Sequence, residues 1–143
     1  MEEVERTLLM IKPDAVQRGL IGEIISRIEQ KGLKIIALRM MSVDEQTAGR
    51  FYAEHVHKPF FSSLVDFIMS GPIVAMVIEG RNAVSVVRGM VGATDPSKAA
   101  PNTIRGNFGF SITQNIAHAS DSLESAKREI SIFFGEFEFI RYK

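Results

Sequence analysis

An α+β fold, in which helices pack on a four-stranded antiparallel sheet, is predicted by three features of this chain. Short apolar runs of strand length alternate with stretches whose apolar residues recur at helical spacing. The helical stretches fall between the runs so as to make two split βαβ units on one sheet. Gly, Pro and capping residues close the elements.

The elements follow in order. Residues 7–11 form an apolar run that Lys12-Pro13-Asp14 ends, so the first strand delivers a lysine to its C-terminal rim. Ile21, Ile24, Ile25 and Ile28 mark one face of a helix, and Gly32 suits its C-terminal cap. Residues 33–41 return as a second strand. Ser42 and Glu45 read as a capping box opening a helix to about residue 55, and residues 60–69 give another, closed by Ser70-Gly71-Pro72. The nearly continuous apolar run 73–78 reads as a central strand. Asn82 caps a helix containing Val84, Val87 and Met90, with Arg88 on a different face. Residues 91–113 are rich in Gly, Thr, Asp, Pro, Ser and Asn and read as an ordered, functional loop. An edge strand over 111–116 then leads to His118 and a last helix over 122–134. The tail carries Phe137, Phe139, Ile140 and Tyr142, too apolar for water, and is expected to pack on its own domain or on a neighbouring subunit. No repeat or boundary interrupts this order, which is the ferredoxin-like βαββαβ arrangement in one domain, residues 1–143.

Composition excludes several classes. Apolar residues are 45% and charged residues 24% of the chain, ordinary for a folded globular protein. Seventeen basic and seventeen acidic side chains cancel, so no global field draws the chain to nucleic acid or an anionic membrane. There is no cysteine, no apolar run near the roughly 20 residues of a membrane helix, and an acidic start, Met1-Glu2-Glu3, unlike a signal peptide. A cytoplasmic protein is expected. Any polyanion site must be local, with Lys12, Arg18, Lys58, Arg88 and Arg105 as candidates, although each singly reads as a solvated charge.

No phosphate-cradling G-x-x-x-x-G-K-[ST] loop, dinucleotide fingerprint or protein-kinase signature set is present, so side-chain cations must hold any bound phosphate. Arg88 and Arg105 with Thr94 between them suit that task, since a guanidinium grips phosphate oxygens bidentately. In Asn115-Ile116-Ala117-His118-Ala119-Ser120-Asp121 a histidine stands just before a helix start, with Asp121 as N-cap and Glu124 completing a capping box. A helix end favours the neutral, nucleophilic ring and attracts anions; a histidine merely hydrogen-bonded there is the plainer reading. Glu129, partly buried on that helix, would orient the ring. Tyr52, Phe60, Phe61 and Leu64 read as core of the helical pair or as a cleft wall for a flat ring. His55 and His57 lack an evident third ligand, so no metal is assigned to them. Arg105-Gly106-Asn107-Phe108-Gly109-Phe110 approaches the R-G-F-G-F strand of RNA-recognition domains, but its extra residue throws the aromatics out of register.

The N-x-x-H-[GA]-S-D signature around His118 resembles that of nucleoside diphosphate kinases. The likeness extends over essentially the whole chain: R-T-L-L-M-I-K-P-D, H-K-P-F-F, S-G-P-I-V, G-A-T-D-P and T-I-R-G-N-F stand in the family's order. It implies transfer of the terminal phosphate of a nucleoside triphosphate to a nucleoside diphosphate, by ping-pong kinetics through a phosphohistidine, with Mg²⁺ on the nucleotide phosphates and no protein metal ligand. By resemblance His118 is the phosphorylated residue, and Ser120 and Glu129 support it. Lys12 and Asn115 meet the ribose hydroxyls and adjacent phosphate oxygen. Phe60 stacks on the base with Ile112 across from it, Leu64 neighbours the phosphates, and Tyr52, Arg88, Thr94 and Arg105 surround them. The resemblance further implies a homo-oligomer, hexamer or tetramer, broad base tolerance, and no need of nucleic acid or membrane. Ala119 and Ile112 stand where glycine and valine are commoner; Ala119 is expected to add a methyl near the histidine.

Overall fold

The computed structural model describes residues 4–142. The chain runs β1 (Val4–Ile11), α1 (Pro13–Gln17), α2 (Ile21–Gln30), β2 (Lys34–Met41), α3 (Glu45–Phe51), α4 (Phe61–Ile68), β3 (Ile73–Arg81), α5 (Ala83–Val91), α6 (Ile104–Phe108), β4 (Ala117–Ala119) and α7 (Leu123–Phe133). The four strands form one sheet in the order β2-β3-β1-β4, every neighbouring pair antiparallel. That is the predicted ferredoxin-like arrangement, with α2 crossing from β1 to β2 and α5 from β3 towards β4.

Both faces of the sheet are covered, and the alternation of side chains along a strand assigns each residue to a layer. Leu8, Met10, Ile73, Ala75 and Val77 face one layer with Ala48, Phe51, Val65, Ile68, Ile130 and Phe133 from α3, α4 and α7. Leu9, Ile11, Val74, Met76 and Ile78 face the other, with Ile24, Ile28, Val87, Val91 and Ile104 from α2, α5 and α6. Burial on both sides is why β1 and β3 read as continuous apolar runs rather than as alternating ones.

Several local expectations are corrected. Asp44, not Ser42, caps α3, its carboxylate accepting the Thr47 N–H at 2.7 Å, and the helix stops at Phe51. Ser122, not Asp121, caps α7 by accepting the Ser125 N–H. Asn82 precedes α5 in a left-handed conformation without a side-chain cap bond. No strand forms over 111–116; the fourth strand is residues 117–119 and contains His118 itself, paired with Met10. The 91–113 loop is ordered by α6, whose start Thr103 caps by accepting the Gly106 N–H. The R-G-N-F-G-F run is thus helical through Phe108, which packs under Arg27, while Phe110 lies exposed off the sheet. No strand presents those aromatics to RNA.

The tail packs on its own domain. Ile140 donates its N–H to the Ile36 carbonyl, Tyr142 its hydroxyl to Ile35 oxygen, and Glu138 takes the Arg39 guanidinium through both carboxylate oxygens. Within α6, a Cβ on Gly106 would run into the Ala100 carbonyl, which is backbone and cannot step aside. Gly106→Ala is expected to cost about 2 kcal/mol of unfolding free energy in a denaturant titration, from overpacking alone.

Candidate active site

Strand alternation aims His118. Its neighbours Ala117 and Ala119 belong to the α2/α5 layer, so the imidazole projects to the opposite face, towards α3 and α7. There the edge of its ring meets Phe51, centroids 4.8 Å apart at 77°. Its Nε2 lies 2.8 Å from Oε1 of Glu129, an oxygen that also accepts the Ser120 hydroxyl at 2.8 Å. Ser120 is itself anchored, since its hydroxyl accepts the Leu8 N–H and its own N–H donates to Leu8 oxygen. Glu129, 5% exposed, has Arg128 3.6 Å from its second oxygen. Ala119 turns its methyl away, so the expected crowding of the histidine does not arise.

His118 stands on a strand four residues before the α7 cap, so no helix end sets its charge. Burial pushes the imidazole below its ordinary range; Glu129 opposes this, while Lys12 and Arg105 push it lower still. The neutral ring is the form favoured near pH 7.

Lys12 leaves the end of β1 and reaches Asn115, Nζ to Oδ1 2.8 Å, and the Asn115 amide donates to the Thr94 carbonyl at 3.0 Å. Burial pushes the Lys12 ammonium down to about 8, with Arg105 adding to the fall and Asp14 opposing it. Arg105, 7% exposed, donates to the carbonyls of Asn115, Gly92 and Ala117 at 3.3, 2.9 and 2.6 Å. It therefore fastens the loop to the histidine strand and keeps two of a guanidinium's five N–H groups for another partner. Arg88 lies close enough to lower the Arg105 pKa, which burial chiefly brings to about 10, and reaches the Ala119 carbonyl at 3.5 Å.

Between Asn115 and His118 the chain makes a sharp γ-turn. Ala117 donates back to the Asn115 carbonyl at 2.9 Å around Ile116, whose φ is +78°. A β-branched side chain in that region is strained by about 1–3 kcal/mol.

Tyr52 is buried against Phe51, ring centroids 4.9 Å apart, and burial together with Glu129 raises its phenol pKa. Leu64 packs on the α3/α4 core, while Phe60 and Ile112 stand open, 47% and 62% exposed. Sequence reasoning missed three neighbours. Phe51 was not distinguished from plain core, and Arg128 looked like any surface charge on a helix. His55, considered only as half of a metal pair, sits between Tyr52 and Phe60, and its Nδ1 is buried without a hydrogen-bond partner among the described residues.

A concavity of about 870 Å³ between β1, α7 and the tail includes none of these groups. Among the described residues no three His, Asp or Glu side chains gather at metal-binding distance.

The family profile for nucleoside diphosphate kinase matches residues 5–139. The chain belongs to that family. Nucleoside diphosphate kinase of Archaeoglobus fulgidus is 58% identical over 140 residues, 98% of this chain and 93% of that one. The enzyme of Desulforamulus reducens is 62% identical over 139 residues, 97% and 93% of the two chains. The Aquifex aeolicus nucleoside diphosphate kinase crystal structure matches with a TM-score of 0.94 at 46% identity, covering 96% of this chain and 100% of that one. A Halobacterium salinarum nucleoside diphosphate kinase in complex with CDP gives 0.94 at 48%, covering 100% and 94%. The activity is therefore that of a nucleoside diphosphate kinase: phosphate passes from a nucleoside triphosphate to a nucleoside diphosphate through a phosphohistidine, in two half-reactions. Like other nucleotide kinases, it works with a divalent cation.

The Lys12 geometry yields a pH dependence. The ammonium is charged below about 8 and neutral above, so an anion held by it would bind less tightly as pH rises through that value. Calorimetric titration with ADP from pH 6.5 to 9.5 should show a fall of roughly tenfold with that midpoint, and Lys12→Gln should bind weakly throughout with the step gone.

Proposed function

We propose that His118 is the phosphorylated residue and that Nδ1 is the attacking nitrogen. The observation that carries this is the 2.8 Å contact of Nε2 with Glu129. A carboxylate there accepts a hydrogen bond, so Nε2 bears the proton and Nδ1 keeps its lone pair. In the first half-reaction that lone pair forms an N–P bond to the γ-phosphorus. The P–O bond to the leaving diphosphate breaks, its electron pair staying on the β-phosphate oxygen. The ring, still protonated at Nε2, becomes a phosphoimidazolium whose positive charge faces Glu129. In the second half-reaction a terminal oxygen of the incoming diphosphate attacks phosphorus, and the N–P electrons return to Nδ1.

The remaining roles follow from position. Lys12 and Asn115 hold the ribose hydroxyls and adjacent phosphate oxygen; Arg88, Arg105, Thr94, Tyr52 and Leu64 surround the phosphates. Their pre-set charge is the main aid to a transfer that needs little covalent help from the protein. Phe60, half-exposed, would stack on the base, and Ile112, also exposed, would lie across from it as the resemblance implies. One-sided stacking distinguishes bases poorly, which supports broad base tolerance. The cation of this reading is Mg²⁺, which would be held by the nucleotide's phosphate oxygens, hard ligands that suit it. It neutralises phosphate charge when bound; the residues named here do the positioning. Residues 1–143 act as one domain, in a cytoplasmic homo-oligomer of tetrameric or hexameric form.

Incubation with γ-labelled ATP should label the protein in an acid-labile, base-stable form, and His118→Ala should remain unlabelled; label surviving in that variant would refute the assignment. Glu129→Gln should lower the turnover number by about 10²–10³, measured in a coupled assay, because a neutral amide neither fixes the ring nor meets its charge.

A further inference from the structure

The strained γ-turn at Ile116 is held from both sides by the segment that follows β1. The Ile116 carbonyl accepts the Lys12 N–H at 2.8 Å, and the Ile116 N–H donates to Oδ2 of Asp14 at 3.1 Å. Pro13 between them, buried at the first position of α1, has a fixed φ and sets the angle at which Asp14 leaves the chain. The other carboxylate oxygen, Oδ1, is buried and has no hydrogen-bond partner among the described residues. A carboxylate with one oxygen buried and unpartnered is a poor source of stability, so its placement calls for another reason.

The turn supplies one. Asn115, at its start, holds the Lys12 ammonium by its side chain and the Arg105 guanidinium by its carbonyl. Ala117, at its end, takes Arg105 through its carbonyl and leads directly to His118. The dihedral angles of Ile116 therefore fix where the imidazole stands relative to both cations. Ile116 is fully buried among Leu9, Ile11 and Ile104, which holds its side chain but not the sign of its φ. The anionic acceptor on its N–H does hold that sign, because a relaxed, negative φ would swing the N–H away from Asp14.

We infer that Asp14 is a positioning residue of the phosphotransfer site: its carboxylate pins the positive-φ turn at Ile116 and so sets the distance from His118 to the phosphate-binding cations. Asp14 makes no hydrogen bond to the imidazole and acts through the Ile116 backbone. The inference rests on His118 as the phosphate acceptor.

The test is single-turnover phosphorylation by γ-labelled ATP in the full-length protein, with His118→Ala as control. Asp14→Ala should lower the limiting rate about 30- to 100-fold, as misplacement of a nucleophile by ångströms does, with half-saturating ATP within about threefold of wild type. Asp14→Asn keeps an oxygen acceptor and should stay within about fivefold. In an Ile116→Gly background the backbone takes positive φ without penalty, so adding Asp14→Ala there should cost less than about threefold. Equal losses in the two backgrounds, or a wild-type rate for Asp14→Ala, would overturn the inference while leaving His118 in its role. Labelled His118→Ala would instead overturn the underlying assignment. Should Asp14→Ala alone not fold, the Asp14→Asn rate and the Ile116→Gly pair still decide: a large loss in either contradicts the pinning role.

Discussion

One oxygen atom organises the chemistry of this protein. Oε1 of Glu129 accepts from the His118 ring and from the Ser120 hydroxyl, each at 2.8 Å, and so joins α7 to β4. It holds the imidazole in place and, in the proposed mechanism, lies where positive charge would appear on the ring. Ser120 completes the link by bonding β1 through the backbone of Leu8. Sheet and helix thus reach the imidazole through the same pair of side chains, and Phe51 packs against it from α3.

Opposing this anion is a cationic group assembled without a glycine-rich loop. Lys12 comes from a strand end, Arg88 from a crossover helix and Arg105 from a short helix inside the long loop. Like charges so close repel and are costly to bury, which is why the pKa values of Lys12 and Arg105 fall to about 8 and about 10. Main-chain carbonyls share the burden: Arg105 is tied to three of them. Incoming phosphate would relieve the repulsion, so the free site is primed for anions.

Much of this was legible in the sequence. Element order and the apolar runs led to the right sheet, because central strands buried on both faces carry a strong, unbroken signal. The signature around His118 pointed to the histidine, Ser120 and Glu129, side chains that the fold brings together. What escaped was set by tertiary context. Two plausible caps, Ser42 and Asp121, lost to Asp44 and Ser122, since a capping residue is chosen by where the chain enters the helix. The strand expected over 111–116 is three residues at 117–119, where pairing to β1 outweighed any local preference. Ile116 gave no warning of its left-handed backbone, because isoleucine is among the last residues that propensity would place there. Arg128 matters through Arg50 and Phe51, neighbours distant in sequence that no spacing rule reveals.

β1 pairs with both β3 and β4 and contributes to both apolar layers, while its last residues lead into Lys12. An opening that frees Lys12 by withdrawing β1 strips a central strand from two cores. Amide exchange around Met10 must then proceed only through global unfolding. Thermal inactivation and loss of structure become one event.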